Sequence, residues 1–132
     1  MTTAAPAPPA APALTVTLLA TGSPLPDPHC AGPATLISSD VDHFLVDTGR
    51  GLLMRLAAAG LGAGQLTAVL LTHLNSDDIT DLNDVIPSRW VMTFQPTPLT
   101  IVGSPGTHEA VHVHGPELVQ LHPLDVRAQV DP

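Results

Sequence analysis

The sequence predicts an α/β fold. Short apolar runs of strand length alternate with stretches of helical periodicity, glycine and proline clusters separate them, and the later strands are continuous apolar runs of the kind buried in parallel sheets. In order, Met1–Ala13 is a low-complexity Pro/Ala segment with little to bury, expected to be disordered or loosely polyproline II. Leu14–Leu19 is a β-branched strand closed by the turn residues Thr21-Gly22-Ser23-Pro24. Ala34–Ser38 and His43–Asp47 form the next two strands, joined as a hairpin around Ser39-Asp40. Gly49–Gly51 opens a helix over Leu52–Ala59, with Leu52, Leu53, Leu56 and Ala59 at helical spacing and Gly60 capping its end. Thr67–Thr72 is an apolar strand, and the polar turn His73–Asp78 leads into a helix over Ile79–Val91 that Pro87 ends or kinks. Leu99–Val102 is a buried strand and Pro105-Gly106-Thr107 the entry to a further helix. From His108 the pattern gives no element, so residues 108–132 read as a histidine-containing tail.

At 132 residues the chain has room for one modest domain. Its composition is 44% hydrophobic but only 2% aromatic, with no tyrosine, so aliphatic side chains must fill the core. Lysine is absent, and four arginines face twelve acids for a net charge of −8. Such a balance argues against an autonomous nucleic-acid binder, whose affinity comes largely from neutralising phosphates. The single cysteine, Cys30, excludes an internal disulfide and fits a reducing compartment, as a small buried or loop residue. There is no basic, uninterrupted N-terminal apolar segment and no apolar run of the ~18 residues a membrane span needs. A soluble, cytoplasmic protein without a membrane partner is the expectation.

The chemistry-bearing residues come in a fixed order. Ala20-Thr21-Gly22-Ser23-Pro24-Leu25-Pro26 follows the first strand, Gly32-Pro33-Ala34 opens the second and Phe44-Leu45-Val46-Asp47-Thr48-Gly49 ends the third. Arg55-Leu56, then Leu70-Leu71-Thr72-His73-Leu74-Asn75-Ser76-Asp77-Asp78, then Asp81-Leu82 complete the series. This order resembles ribonuclease Z and its arylsulfatase-like relatives in the metallo-β-lactamase superfamily, over about Leu14–Thr107. The resemblance implies the N-terminal half of a metallo-β-lactamase αββα sandwich, with residues 14–107 as the half-domain. It implies a metal-dependent hydrolase: a phosphodiesterase that processes tRNA 3′ ends, with ester, sulfate-ester or lactone hydrolysis as related alternatives.

In that family the segment after the apolar strand reads His-x-His-x-Asp-His and holds two zinc ions that activate a water. Carried over by position, His73 and Asp77 match, whereas Asn75 and Asp78 stand where the family has histidines. The resemblance therefore makes His73, Asp77 and Asp78 candidate ligands, Asn75 a weak one, and Asp77 the candidate catalytic residue. An amide carbonyl is a poor zinc ligand, and a second carboxylate shifts preference towards Mn²⁺ or Mg²⁺. The expected load is zero or one ion, since the family's remaining ligands come from a C-terminal half. Asp47, a family hallmark, is expected to fix the loop behind the metal. The same residues also suit a purely structural role, with Asn75–Asp78 as the cap and first turn of a helix. A second class of function thus stands beside the hydrolase: a non-catalytic fragment or decayed paralogue that binds or self-associates, as a homodimer or with a complementing C-terminal half. RNA would be a partner only if the family activity survives.

His108-Glu109-Ala110-Val111-His112 matches H-E-x-x-H, in which His108 and His112 on one helix face would bind zinc with Glu109 as base. Leu118 where a third histidine is expected, and Pro116 just beyond, make this a remote alternative. Finally, half a sandwich should leave an uncovered sheet face and edge, expected around Val69, Leu70, Leu71, Ile101 and Val102.

Overall fold

A computed structural model describes residues 13–95, 97–111 and 118–123. Its framework is a six-stranded sheet in chain order: β1 (Thr15–Ala20), β2 (Ala34–Ser38), β3 (His43–Val46), β4 (Ala68–Leu70), β5 (Leu99–Gly103) and β6 (Val119–Pro123). β1, β2 and β3 pair antiparallel, and β3 to β6 pair parallel. The parallel steps require crossovers, which α1 (Leu52–Ala58), α2 (Ser76–Ile79) with α3 (Leu82–Thr93), and α4 (Thr107–Val111) supply. Because β1 runs with β3, the C-terminal ends of β1, β3, β4 and β5 open on one edge of the sheet. Ligands bind at that edge in open α/β sheets.

Register sorts the side chains into two faces. The row Thr17, Leu36, Leu45, Val69, Ile101 and Leu121 pairs strand to strand and points into the core. There Leu45, Val69 and Ile101 pack against Leu52 and Leu56 of α1, Leu82, Val85 and Ile86 of α3, and Val111 of α4. The core is aliphatic throughout. The opposite face carries two rows: Val16, Ile37, Phe44, Ala68, Thr100, Gln120, and Leu18, Thr35, Val46, Leu70, Val102, His122. None of these belongs to the packed cluster, and Val16 and Leu18 are 64% and 67% exposed. The expectation for the open face is corrected accordingly. Leu70 and Val102 lie on it, but Val69, Leu71 and Ile101 are buried inside, because a continuous apolar run does not reveal which alternate residues face the helices.

Most element boundaries match those read from sequence within a residue or two, and three features differ. The helix expected over Ile79–Val91 is two helices, α2 and α3, and Pro87 lies inside α3 rather than ending it. At the end of α1 the cap is Ala59, with Gly60 just beyond it at φ +82°, the left-handed position that glycine adopts without a steric penalty. Beyond His108 the sequence gives no element, yet β6 pairs with all of β5. Residues 1–12, 112–117 and 124–132 lie outside the described residues, so the expected disorder of the Pro/Ala segment is not addressed, and nor is most of the expected tail.

Candidate metal centre

Four loops meet at the carboxyl edge of the sheet: those after β1, β3, β4 and β5. Asp47 directly follows β3 and adopts φ +61°, an uncommon conformation for a residue with a side chain. Asp47 is held there from both ends. Its N–H donates to Leu70 O at 2.9 Å, and its carboxylate receives the Thr72 N–H at 2.9 Å and the Thr72 hydroxyl at 2.8 Å. A strained position held this firmly commonly marks a working site.

Thr48, fully buried, ties the next loop down. Its N–H and hydroxyl both donate to Asp78 O, at 2.6 and 3.2 Å, and its own carbonyl accepts the Asp81 N–H at 2.9 Å. This clamp sets the one-turn helix α2 against the end of β3, and brings the buried Asp78 carboxylate to His73, Nε2 to Oδ2 2.9 Å. On the other ring nitrogen, His73 Nδ1 lies 2.8 Å from Thr72 Oγ1. That hydroxyl already donates its one proton to Asp47, so it accepts from Nδ1–H, which fixes the imidazole orientation and directs Nε2 at Asp78. Burial, reinforced by the nearby Asp77 and Asp47 carboxylates, raises the Asp78 carboxyl above its ordinary value, while His73 pulls the other way.

Asp47, His73 and Asp78 each offer a ligand atom, and these atoms lie within 4.8 Å of one another. Two carboxylates and one imidazole fit a single divalent cation, with room for water or substrate at the remaining position. Among the described residues this is the only group of three or more such side chains so arranged. Asp77 is outside the converging set, and its negative charge beside Asp78 helps to raise that carboxyl. Asn75 occupies the N-cap position of α2 without a side-chain cap bond, its carbonyl accepting the Asp78 N–H at 3.0 Å. Asp47 lies among the ligand atoms as well as bracing the loop. His108 and Glu109 lie on α4, which ends at Val111, and His112 falls outside the described residues.

Two supports stand in the motif series without a role having been read for them. One is the Thr72 hydroxyl. The other is Asp81, whose carboxylate accepts backbone N–H groups of Leu52, Gly51 and Leu53 at the start of α1. The N-cap residue of that helix is Gly51, which has no side chain to cap it, so an acid from the α2–α3 junction accepts these amides across the fold.

The model of the metallo-beta-lactamase superfamily matches residues 27–102. The ribonuclease Z of Mycolicibacterium paratuberculosis is 58% identical over 98 residues, which is 73% of this chain and 35% of that protein. The ribonuclease Z of Mycobacterium bovis is 57% identical over 100 residues, 74% of this chain and 36% of that protein. The chain thus spans about a third of the length of the curated relatives it matches. Among solved structures, a metallo-beta-lactamase fold protein from Bacillus subtilis superposes with a TM-score of 0.76 at 24% identity, over 87% of this chain and 48% of that one. Human tRNase Z, short form, superposes with a TM-score of 0.66 at 25% identity, over 85% and 47%.

Proposed function

Since the chain belongs to the metallo-beta-lactamase superfamily, we propose that Asp47, His73 and Asp78 hold one divalent metal ion at the partial centre of a ribonuclease Z-type phosphodiesterase. The observation that carries this reading is the convergence of their ligand atoms within 4.8 Å. His73 Nε2 and the Asp78 and Asp47 carboxylates would be the donors. The carboxylate-rich set accepts Mn²⁺ or Mg²⁺ as well as Zn²⁺, and it supplies ligands for one ion, not two. When bound, the ion would polarise a phosphoryl oxygen and make a water more acidic. The chain's own contribution is positional. Thr72 orients His73, Thr48 holds Asp78, and Asp77 acts on the site through its charge beside Asp78 rather than as a ligand. The substrate class is an RNA phosphodiester, by analogy with relatives named ribonuclease Z, and a reducing cytoplasm would suit the single cysteine. Among the described residues no helix is long and apolar enough to cross a membrane.

A second reading is favoured by the apolar sheet face that no described residue covers. In it the chain is a half-site, with little or no turnover until another copy or a complementing half covers the sheet and adds ligands. One experiment separates the two. The purified chain is dialysed against Zn²⁺ or Mn²⁺, its metal content measured, and hydrolysis of an activated phosphodiester and a precursor tRNA followed. The half-site reading expects up to one ion and background hydrolysis. Clear turnover that is lost in His73→Ala establishes the enzyme, whereas no metal retained by the natural chain refutes the centre itself.

A further inference from the structure

The four arginines are not equivalent. Arg89 turns its guanidinium inward onto the carbonyls of Leu66, Ala63, Gly64 and Thr97, and Arg127 lies outside the described residues. Arg50 and Arg55 remain, both exposed, and together they line one open pocket of about 310 Å³ with Asp27, Pro28, Cys30, Ala31, Gly51 and Met54. Among the described residues neither is within ion-pair distance of a carboxylate, and the one recorded partner of either guanidinium is His29 O, 3.4 Å from Arg55 Nη2. In a chain carrying −8, two such cations at one cavity are a marked local reversal of charge.

The pocket is also built on a rigid base. Gly32 N–H donates to Arg50 O at 2.7 Å and Gly49 N–H to Pro33 O at 2.9 Å, so the segments on either side of the cavity are laced together. They are so close that a Cβ on Gly32 would lie 2.6 Å from Arg50 N. Arg50 is three residues beyond Asp47, on the loop that enters the metal centre, and the facing wall is the loop after β1 on the same edge of the sheet.

We propose that Arg50 and Arg55 form an anion subsite that takes a phosphate of a polynucleotide chain lying along the carboxyl edge. Guanidinium groups match phosphate oxygens with paired hydrogen bonds. The polynucleotide identity rests on the hydrolase reading, but the subsite itself does not need the metal. Asp27 is the single acid in the pocket lining, and its carboxylate is held by the His29 N–H at 2.8 Å; its charge weakens the subsite.

The test is anisotropy of a labelled single-stranded oligoribonucleotide at low salt, with chelator present so that no turnover or metal bridging contributes. Two phosphate contacts predict a log–log salt slope of about −1.4, dropping to about −0.7 in Arg50→Gln or Arg55→Gln. The expected loss is roughly fivefold or more for each single variant, with recovery in Arg50→Lys and tighter binding in Asp27→Asn. Unchanged affinity in the double glutamine variant, with an unchanged melting curve, overturns the proposal whatever the metal measurements show. Inorganic phosphate that binds while the oligonucleotide does not overturns the polynucleotide assignment. Failure to retain metal with the arginine effects intact removes the metal reading alone.

Discussion

At the residue scale, the raised Asp78 carboxyl ties the centre to pH. Its oxygen must present a lone pair to a metal, so uptake competes with protonation of that carboxyl. Burial favours the protonated form, so metal affinity is expected to fall as pH is lowered into the acid range, as metal uptake followed over a pH series would reveal. Uptake that does not change with pH would mean the ion binds elsewhere. Asp81 gives a second prediction of opposite character. Burial raises its carboxyl above the ordinary 3.8, against the pull of the Leu52, Gly51 and Leu53 N–H groups. A raised folded-state value means its contribution to stability is fully present below the unfolded value and is lost as pH rises through the folded one. Asp81→Asn keeps an acceptor for the α1 amides and removes the buried charge, so denaturant titrations should show a flatter decline between acid and neutral pH than in the natural chain. Asp81→Ala loses the acceptor and should cost roughly 0.5–2 kcal/mol, as a lost helix cap does.

At the scale of elements, Arg89 joins three segments by hydrogen bonds to their carbonyls: α3, the turn around Ala63–Leu66, and the strand lead at Thr97. Burial lowers its guanidinium from the ordinary value without threatening its charge. Arg89→Met fills similar space but strands several carbonyls, and urea unfolding should report a loss of about 2–3 kcal/mol, near that of removing a charged hydrogen-bond partner. A loss under about 0.5 kcal/mol would show that water replaces it freely. The legibility of the chain divides along the same line. Strands β2 and β5 and helix α1 could be read because alternation, continuous apolar runs and helical spacing are local signals. The α2–α3 break could not, because it is imposed by Thr48 gripping Asp78 and Asp81 from a distant part of the chain. β6 was hidden because its pattern is short, and its strand character comes from pairing with β5. At the site, the motif order pointed to His73 and Asp78, but Thr72 as the orienting hydroxyl and Asp47 among the ligand atoms emerged only from the packing of β3 against β4.

At the scale of the whole molecule, the described helices cover one side of the sheet, and among the described residues nothing packs over the other. Val16, Leu18, Ile37, Phe44, Val46, Leu70 and Val102 make a row of apolar side chains from the β1 edge to β5; Val16 and Leu18 are exposed, the others half-buried, and none is part of the packed core. Apolar surface of this extent is worth about 25 cal/mol per Å² once covered, and monomeric proteins rarely leave it open. The two ends of the face differ. Near β6 it turns polar with Gln120 and His122, whereas β1 offers its most exposed apolar residues, Val16 and Leu18, beside an unpaired strand edge. Association should therefore nucleate at β1. Light scattering coupled to size-exclusion chromatography is expected to show concentration-dependent dimers or larger species at micromolar protein, together with binding of an apolar dye. Leu18→Lys combined with Val16→Glu should shift the population towards monomer and lower dye binding, without altering the core, because both side chains point away from it. Leu70→Ala, in the middle of the same face, should reduce association less than the β1 pair. A sharp monomer peak for the natural chain with no dye bound would overturn this expectation.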